Sequence, residues 1–277
     1  MRIGQAAPSS DPITLAFLSD PHIPGDPEVS AHGVNMTANL KQVVKEVQGL
    51  ATRPAGVIIN GDCAYLKGQP ADYANFVQCL EPLISSGQTL HMTMGNHDAR
   101  DAFYNALKQQ QPDQPLVESR HVSLIETPFA NLFLLDSLKQ TNLVTGELGQ
   151  DQLKWLSEAL DARPNKPAIL IAHHTLQLTP PAAGTRWNGI LETAEFLELM
   201  HSKKQVKAYV FGHSHRWSHT QDKNLQLVNL PAVAYIFEKS QPNGWTTAQL
   251  GPRGIQFQLQ ALDKNHPKHQ EIVSVNW

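Results

Sequence analysis

A chain of 277 residues, 41% of them hydrophobic, is long enough to bury a sizeable core without crosslinks. A net charge of −3, with nothing denser than the pair Lys203–Lys204, excludes a nucleic-acid binder that relies on a basic face. Two cysteines, Cys63 and Cys79, exclude a disulfide framework; they lack zinc-ribbon spacing and read as buried thiols. The opening MRIGQAAPSSDP has one arginine and no apolar run, so it reads as neither signal peptide nor anchor. No stretch approaches the roughly 18 apolar residues of a membrane helix. The expectation is a cytoplasmic protein that engages neither membrane nor nucleic acid.

Along the chain, short apolar runs alternate with helical patterns, the mark of α/β layers. Ile13 to Leu18 reads as a buried strand. Met36 to Leu50 then sets Met36, Leu40, Val43, Val44, Val47 and Leu50 on one helical face. Val57–Ile59 is a second strand, Pro70 to Leu83 a helix, Thr89 to Met94 a third strand and Asp98 to Lys108 a helix. His121–Glu126 and Asn131–Leu135 read as a hairpin. Gly149 to Ala162 is a helix, Ala168 to Ile171 a strand, Ile190 to His201 a helix and Val206 to Phe211 a strand. Beyond residue 217 only strands are predicted: Leu225–Val228, Ala232–Phe237, Trp245–Leu250 and Ile255–Leu262. The pattern predicts one domain over residues 1–277, with two sheets packed face to face and helices outside. Residues 175–189, rich in proline and glycine, form the longest irregular stretch and follow a histidine pair directly, so they are read as a functional loop.

Thirteen histidines are present, and six of them fall in five polar clusters. These are Ser19-Asp20-Pro21-His22, Asn60-Gly61-Asp62, Gly95-Asn96-His97-Asp98, His173-His174 and Gly212-His213-Ser214-His215. Each begins where a predicted buried strand ends, and in α/β sheets ligands gather at the carboxyl ends of strands. The clusters therefore converge in space. Asp, His and Asn without thiolates suit Mn, Fe or Zn. Asp62 follows a glycine, which allows a tight turn that brings its carboxylate between two ions. A shared carboxylate with a mixed set of this kind fits a two-metal site with ions roughly 3.5–4 Å apart. Two divalent cations, two carboxylates and one hydroxide leave a charge of about +1, suited to a phosphate ester anion. Singly, a D-x-H, an N-G-D turn or an H-S-H is commonplace; all of them in order at strand ends is not.

Together these blocks resemble the calcineurin-like metallophosphoesterase superfamily, with its ordered D-x-H, G-D, G-N-H-[DE], H and G-H-x-H. The resemblance spans Asp20 to His215. It implies an α/β fold, a four-layer α/β/β/α sandwich of two mixed sheets flanked by helices. It also implies two divalent metal ions, with Mn preferred over Fe or Zn. Asp20, His22 and His215 would bind one ion, Asn96, His173 and His213 the other, and Asp62 would bridge them. By the same resemblance His97 is not a ligand; it contacts phosphate and protonates the leaving oxygen, while a metal-bridging hydroxide attacks phosphorus. Outside the metal blocks, Leu135-Asp136-Ser137, Gly146-Glu147-Leu148, Gln152-Leu153-Lys154-Trp155-Leu156 and Asn229-Leu230-Pro231-Ala232 resemble the bacterial branch of cyclic-nucleotide and glycerophosphodiester phosphodiesterases. These elements match packing more than substrate contacts.

Two departures stand out. Tyr65 occupies the position three after Asp62 where much of the superfamily has an aspartate that orients the G-N-H histidine; Asp98 or another residue must then orient His97. Thr175 replaces a usual proline after the histidine pair, and the H-x-P alignment favours His173 as ligand, with His174 on the substrate side or in support. Arg186, Trp187 and Asn188 in the following loop are candidates for substrate contact, although a tryptophan there also serves simply as a loop anchor. The expected activity is hydrolysis of a small-molecule phosphodiester. The alternatives are a phosphomonoesterase or protein phosphatase on the same site, and a non-catalytic scaffold, disfavoured because no ligand position is lost.

Overall fold

The structure, a computed structural model, describes residues 11–277. Most of the N-terminal stretch read as neither leader nor anchor lies outside the described residues. Two six-stranded mixed sheets form the centre. The first has the order β14 (Ile272–Asn276), β13 (Gly254–Ala261), β12 (Gly244–Gly251), β1 (Ile13–Ser19), β4 (Gly56–Asn60) and β5 (Leu90–Thr93). In the second, β10 (Ser218–Asp222) and β11 (Leu225–Asn229) are followed by β9 (Val206–Phe211), β8 (Ala168–Ile171), β7 (Asn131–Leu134) and β6 (Ser123–Glu126). A two-stranded ribbon, β2 (Ser30–Ala31) and β3 (Val34–Asn35), precedes α1 (Met36–Gln48). The other helices are α2 (Pro70–Ser85), α3 (Arg100–Ala106), α4 (Gln150–Asp161) and α5 (Thr193–Ser202).

Three apolar layers hold these elements, and burial of apolar area is their driving force. Leu15, Phe17 and Ile58 of the first sheet meet Leu132, Ile169 and Val210 of the second. Outside the first sheet, Leu40, Val43 and Val47 of α1 and Phe76 and Leu80 of α2 cover Leu18, Val57 and Ile59. Outside the second, Leu153, Leu156 and Leu160 of α4 and Phe196 of α5 cover Phe133, Leu170 and Tyr209. Both cysteines are free and buried, as read from the sequence, and burial pushes the Cys63 thiol well above its ordinary pKa. Among the described residues no helix is long and apolar enough to cross a membrane.

The strand registers set the site. β1, β4 and β5 run parallel with Ser19 opposite Asn60 and Asn60 opposite Thr93, so the chain leaves all three at one level. In the second sheet β8 and β9 are parallel, with Ile171 opposite Val210. Asn60, fully buried at the end of β4, ties these ends together. Its Nδ2 donates to Ala172 O (3.1 Å) across the sheets, and its Oδ1 accepts from Thr93 Oγ1 (2.7 Å).

The phosphodiesterase-like segments outside the clusters are internal staples. Gln152 of α4 accepts from Asp136 N (2.9 Å) and donates to Asp136 O (2.8 Å) and Leu148 O (2.9 Å). Asp136 in turn takes Arg100 Nη2 (2.7 Å) and His121 N (2.8 Å). Replacing Gln152 by alanine strands these buried groups, with an expected loss of about 2 kcal/mol. The check is a urea titration, whose midpoint falls at unchanged slope; an unmoved midpoint would contradict the staple.

Several expectations need correction. Ala232–Phe237 is not a strand. After Pro231 the N–H groups of Val233 and Ala234 donate to Ser19 O and Asp20 O, while Asn39 Nδ2 donates to both their carbonyls, so the segment is a loop, buried as far as Tyr235. The helix expected from Asp98 begins at Arg100, because the Asp98 carboxylate is held by backbone N–H groups before it. The helix expected from Ile190 begins at Thr193; Ile190 makes a β-bridge to Gly146 and Leu176 instead. β10 and β14 were not anticipated.

Candidate metal centre

Five cluster residues adopt left-handed backbone: Asp20 (φ 51°), His22 (48°), Asp62 (50°), His213 (66°) and His215 (53°). Such conformations cost on the order of 1 kcal/mol each and persist where surrounding bonds impose them. The first two turns are laced together, His22 N to Asp62 O (2.9 Å) and Ile23 N to Cys63 O (3.0 Å). Two glycines let backbone close on the carboxylates: a Cβ at Gly95 would lie 2.5 Å from Asp62 N, and one at Gly212 2.5 Å from Asp20 Oδ2.

The donor atoms meet in two groups. In the first, His22 Nε2 and His215 Nε2 are 3.0 Å apart, and Asp20 Oδ1 lies 3.4 Å from His215 Nε2. In the second, His173 Nε2 is 3.2 Å from Asp62 Oδ2 and 3.3 Å from His213 Nδ1. Asp62 Oδ2 also lies 3.5 Å from His22 Nε2, so this carboxylate stands between the groups. Asp20, His22 and His215 form one trio able to hold a cation, and Asp62, His173 and His213 another; His22, Asp62 and His97 form a third.

The second atoms of these rings explain their aim. His215 Nδ1 faces Tyr235 O (2.6 Å) and His173 Nδ1 faces Asn60 O (3.0 Å). A carbonyl only accepts, so both Nδ1 atoms carry hydrogen and each Nε2 points its lone pair, or a displaceable proton, into the cluster. Asp20 accepts from Ser19 Oγ (2.5 Å) and from His213 N (3.1 and 3.2 Å). Asn96 Oδ1 is buried with no hydrogen-bond partner, in a sequence block whose neighbours line the cluster. An orphaned buried carbonyl oxygen, one residue before the His97 N–H that meets Asp62, is a donor that a cation would satisfy.

The electrostatics point the same way. Burial works against charge on His173, yet Asp62 and Asp20 raise it to about 10. Burial pushes His22 down to about 3 and His213 to about 4, the latter helped by His173. Although burial opposes ionisation of Asp20 and Asp62, His173 beside them holds both well below the usual carboxylate range. Two ionised carboxylates against one imidazolium leave a buried, net negative pocket that favours a cation.

His97 lies at the rim. Its backbone N donates to Asp62 Oδ1 (2.8 Å), and its Nδ1 donates to Leu66 O (2.6 Å). Leu66 O therefore orients the ring, and Asp98 does not. Buried Asp98, with its pKa pushed up to about 6 by burial and by Asp62, binds the N–H groups of Cys63, Ala64 and Gly95 and the Tyr73 hydroxyl. His174 is fully buried behind His213, ring centroids 4.6 Å apart, with Nδ1 on Ser137 Oγ (2.8 Å). Of the loop candidates, Arg186 and Asn188 are exposed, while the half-buried Trp187 gives its indole N–H to Ile190 O (3.0 Å). Sequence reasoning placed Ser19 and Asn60 in their clusters without a role, and it missed Tyr235 and the Leu66 carbonyl. A lone asparagine closing the apolar run GVIIN was the one available signal of a supporting role.

The Calcineurin-like phosphoesterase family profile matches residues 13–217. The 3',5'-cyclic adenosine monophosphate phosphodiesterase CpdA of Haemophilus influenzae is 27% identical over 226 residues, 82% of this chain and 78% of that protein. The glycerophosphodiester phosphodiesterase GpdQ of Enterobacter lignolyticus is 26% identical over 238 residues, 82% of this chain and 81% of that one. Among solved structures, a dimetal phosphatase from Danio rerio shares the fold with a TM-score of 0.73 at 14% identity, covering 96% of this chain and all of that one. With a family match across most of its length and an Asp/His cluster able to bind metal, the chain belongs to the calcineurin-like phosphoesterase family and is a metal-dependent phosphoesterase.

Proposed function

We propose that this chain hydrolyses small phosphodiesters at a two-metal centre. Asp20, His22 and His215 would hold one ion and Asn96, His173 and His213 the other, with Asp62 shared between them. What carries this is the meeting of two donor trios at one carboxylate. Mn, Fe and Zn all suit the donors, and availability decides which is bound. Ions held there supply the charge that activates an attacking water and neutralises phosphoryl oxygens. The chain's own groups do the aiming. Asn60 O and Tyr235 O fix two imidazoles, Ser19 and the His213 N–H fix Asp20, and His97, its Nδ1–H anchored on Leu66 O, protonates the leaving oxygen from Nε2 when the ring carries both protons.

Diesters are favoured over monoesters on charge. A monoester dianion calls for more cationic contact than a diester anion, but Arg100 and Arg216, next in sequence to the Asn96–His97 and His213–His215 blocks, are taken by Asp136 and Glu238. Among the described residues this leaves Arg186 of the 175–189 loop as the one arginine offered to substrate. The phosphodiesterase relatives support the same choice. The chain acts as one metallophosphoesterase domain, with residues 175–189 over the site. That loop is held by Ile190 N on Thr175 O (3.0 Å) and Gly146 N on Gly189 O (3.0 Å), which leaves Arg186 and Asn188 to meet substrate while Trp187 anchors.

The test is metal removal. Chelator-treated protein should hydrolyse neither bis(p-nitrophenyl) phosphate nor p-nitrophenyl phosphate, and Mn(II) should restore activity with the diester preferred. Stripping should also lower the thermal midpoint, since an ion at a hundredfold excess over its Kd stabilises by about 2.7 kcal/mol. A strong preference for the monoester would sink the diesterase assignment.

A further inference from the structure

The loop that replaces the expected strand at 232–237 ends on an aromatic side chain that neither core nor metal cluster uses. Phe237 is 60% exposed. One face stacks on His215, centroids 4.5 Å apart at 27°. The ring packs edge-to-face with Tyr235 (5.7 Å, 70°) and with His32 (5.6 Å, 88°). Tyr235 is stacked on His22 at 5.2 Å and covered by His32 at 4.5 Å. His32, itself exposed, sits at the tip of the β2–β3 ribbon. An aromatic wall thus runs outward from the metal imidazoles, through Tyr235, to an open end made by Phe237 and His32.

This wall is held in place. Tyr235 O is committed to His215 Nδ1, Asn39 and Asn243 tie down the carbonyls of the preceding loop, and Arg216 pairs with Glu238 next to Phe237. An exposed phenyl ring braced from behind by an imidazole of the site is a stacking surface that needs no rearrangement on binding.

We infer that Phe237, with His32 at its edge, is the specificity platform of this site and stacks the flat ring of an ester's organic group, a nucleobase in particular. It rests on the proposed placing of phosphate at the donor cluster. The short reach from His215 to Phe237 matches the single sugar that separates phosphate from base in a nucleotide. A quaternary ammonium fits less well, because a cage needs several open faces. Here Tyr235 is covered by His22 and His32, and only Phe237 remains open.

The experiment is calorimetric titration of the Mn(II)-loaded protein with AMP, ribose 5-phosphate and phosphocholine, for the native chain, Phe237→Ala, Phe237→Trp and His32→Ala. Base–aromatic stacking predicts AMP binding about tenfold tighter than ribose 5-phosphate. Phe237→Ala should bring that ratio near one, His32→Ala should reduce it, and Phe237→Trp should keep it. Equal affinities in the native chain, a ratio that survives Phe237→Ala, or phosphocholine binding tighter than AMP would each overturn the platform. AMP preference without hydrolysis of any diester would refute the proposed reaction and leave the platform standing; diester hydrolysis without AMP preference would do the reverse.

Discussion

Replacing Asp62 by asparagine is expected to lower kcat/KM on bis(p-nitrophenyl) phosphate on the order of 10³-fold, the scale on which a charge-stabilising group in an active site matters. Asparagine is the informative choice because it keeps the size of the side chain and tolerates the left-handed backbone at this position, φ 50°. It removes the negative charge that stands 3.2 Å from His173 Nε2 and 3.5 Å from His22 Nε2. Elemental analysis should show fewer than two ions per chain. Two retained ions with native activity would remove Asp62 from its proposed place between them.

The second large effect is expected at His97, and its signature is a dependence on the leaving group. General-acid assistance contributes about 10²–10⁴-fold. His97→Ala should show a loss of about that size on a glycerol diester, whose alkoxide leaves poorly without a proton. The loss on bis(p-nitrophenyl) phosphate should be far smaller, because p-nitrophenolate departs readily unprotonated. Equal losses on both substrates would mean that His97 only positions the phosphate. The same comparison probes Leu66. Its carbonyl is the group that fixes the ring, and a backbone acceptor fills the orienting part that the sequence comparison expects of an aspartate at Tyr65.

The site was legible where apolar runs ended in polar ones. GVIIN, AILI and VKAYVF are buried nearly throughout, so their ends are sharp and the parallel registers bring the following residues to one level. Elements without that contrast were hidden. β10, Ser218–Asp222, lies on a sheet edge, and its side chains are exposed or half-buried, so no alternation marks it. β14 does alternate, exposed and buried by turns over Ile272–Asn276, but is only five residues long. Val233 to Phe237 has strand composition, yet its backbone serves Ser19, Asp20 and His215, and nothing local encodes those partners. The tie between His97 and Leu66 is equally invisible, since any residue supplies a carbonyl.

The most direct test of the two-metal claim is anomalous diffraction from crystals of the Mn(II)-loaded protein. The geometry predicts two peaks roughly 3.5–4 Å apart, with the Asp62 carboxylate touching both, His22 and His215 on one, and Asn96, His173 and His213 on the other. A single peak, or two peaks with Asp62 bound to neither or Asn96 turned away, would contradict it.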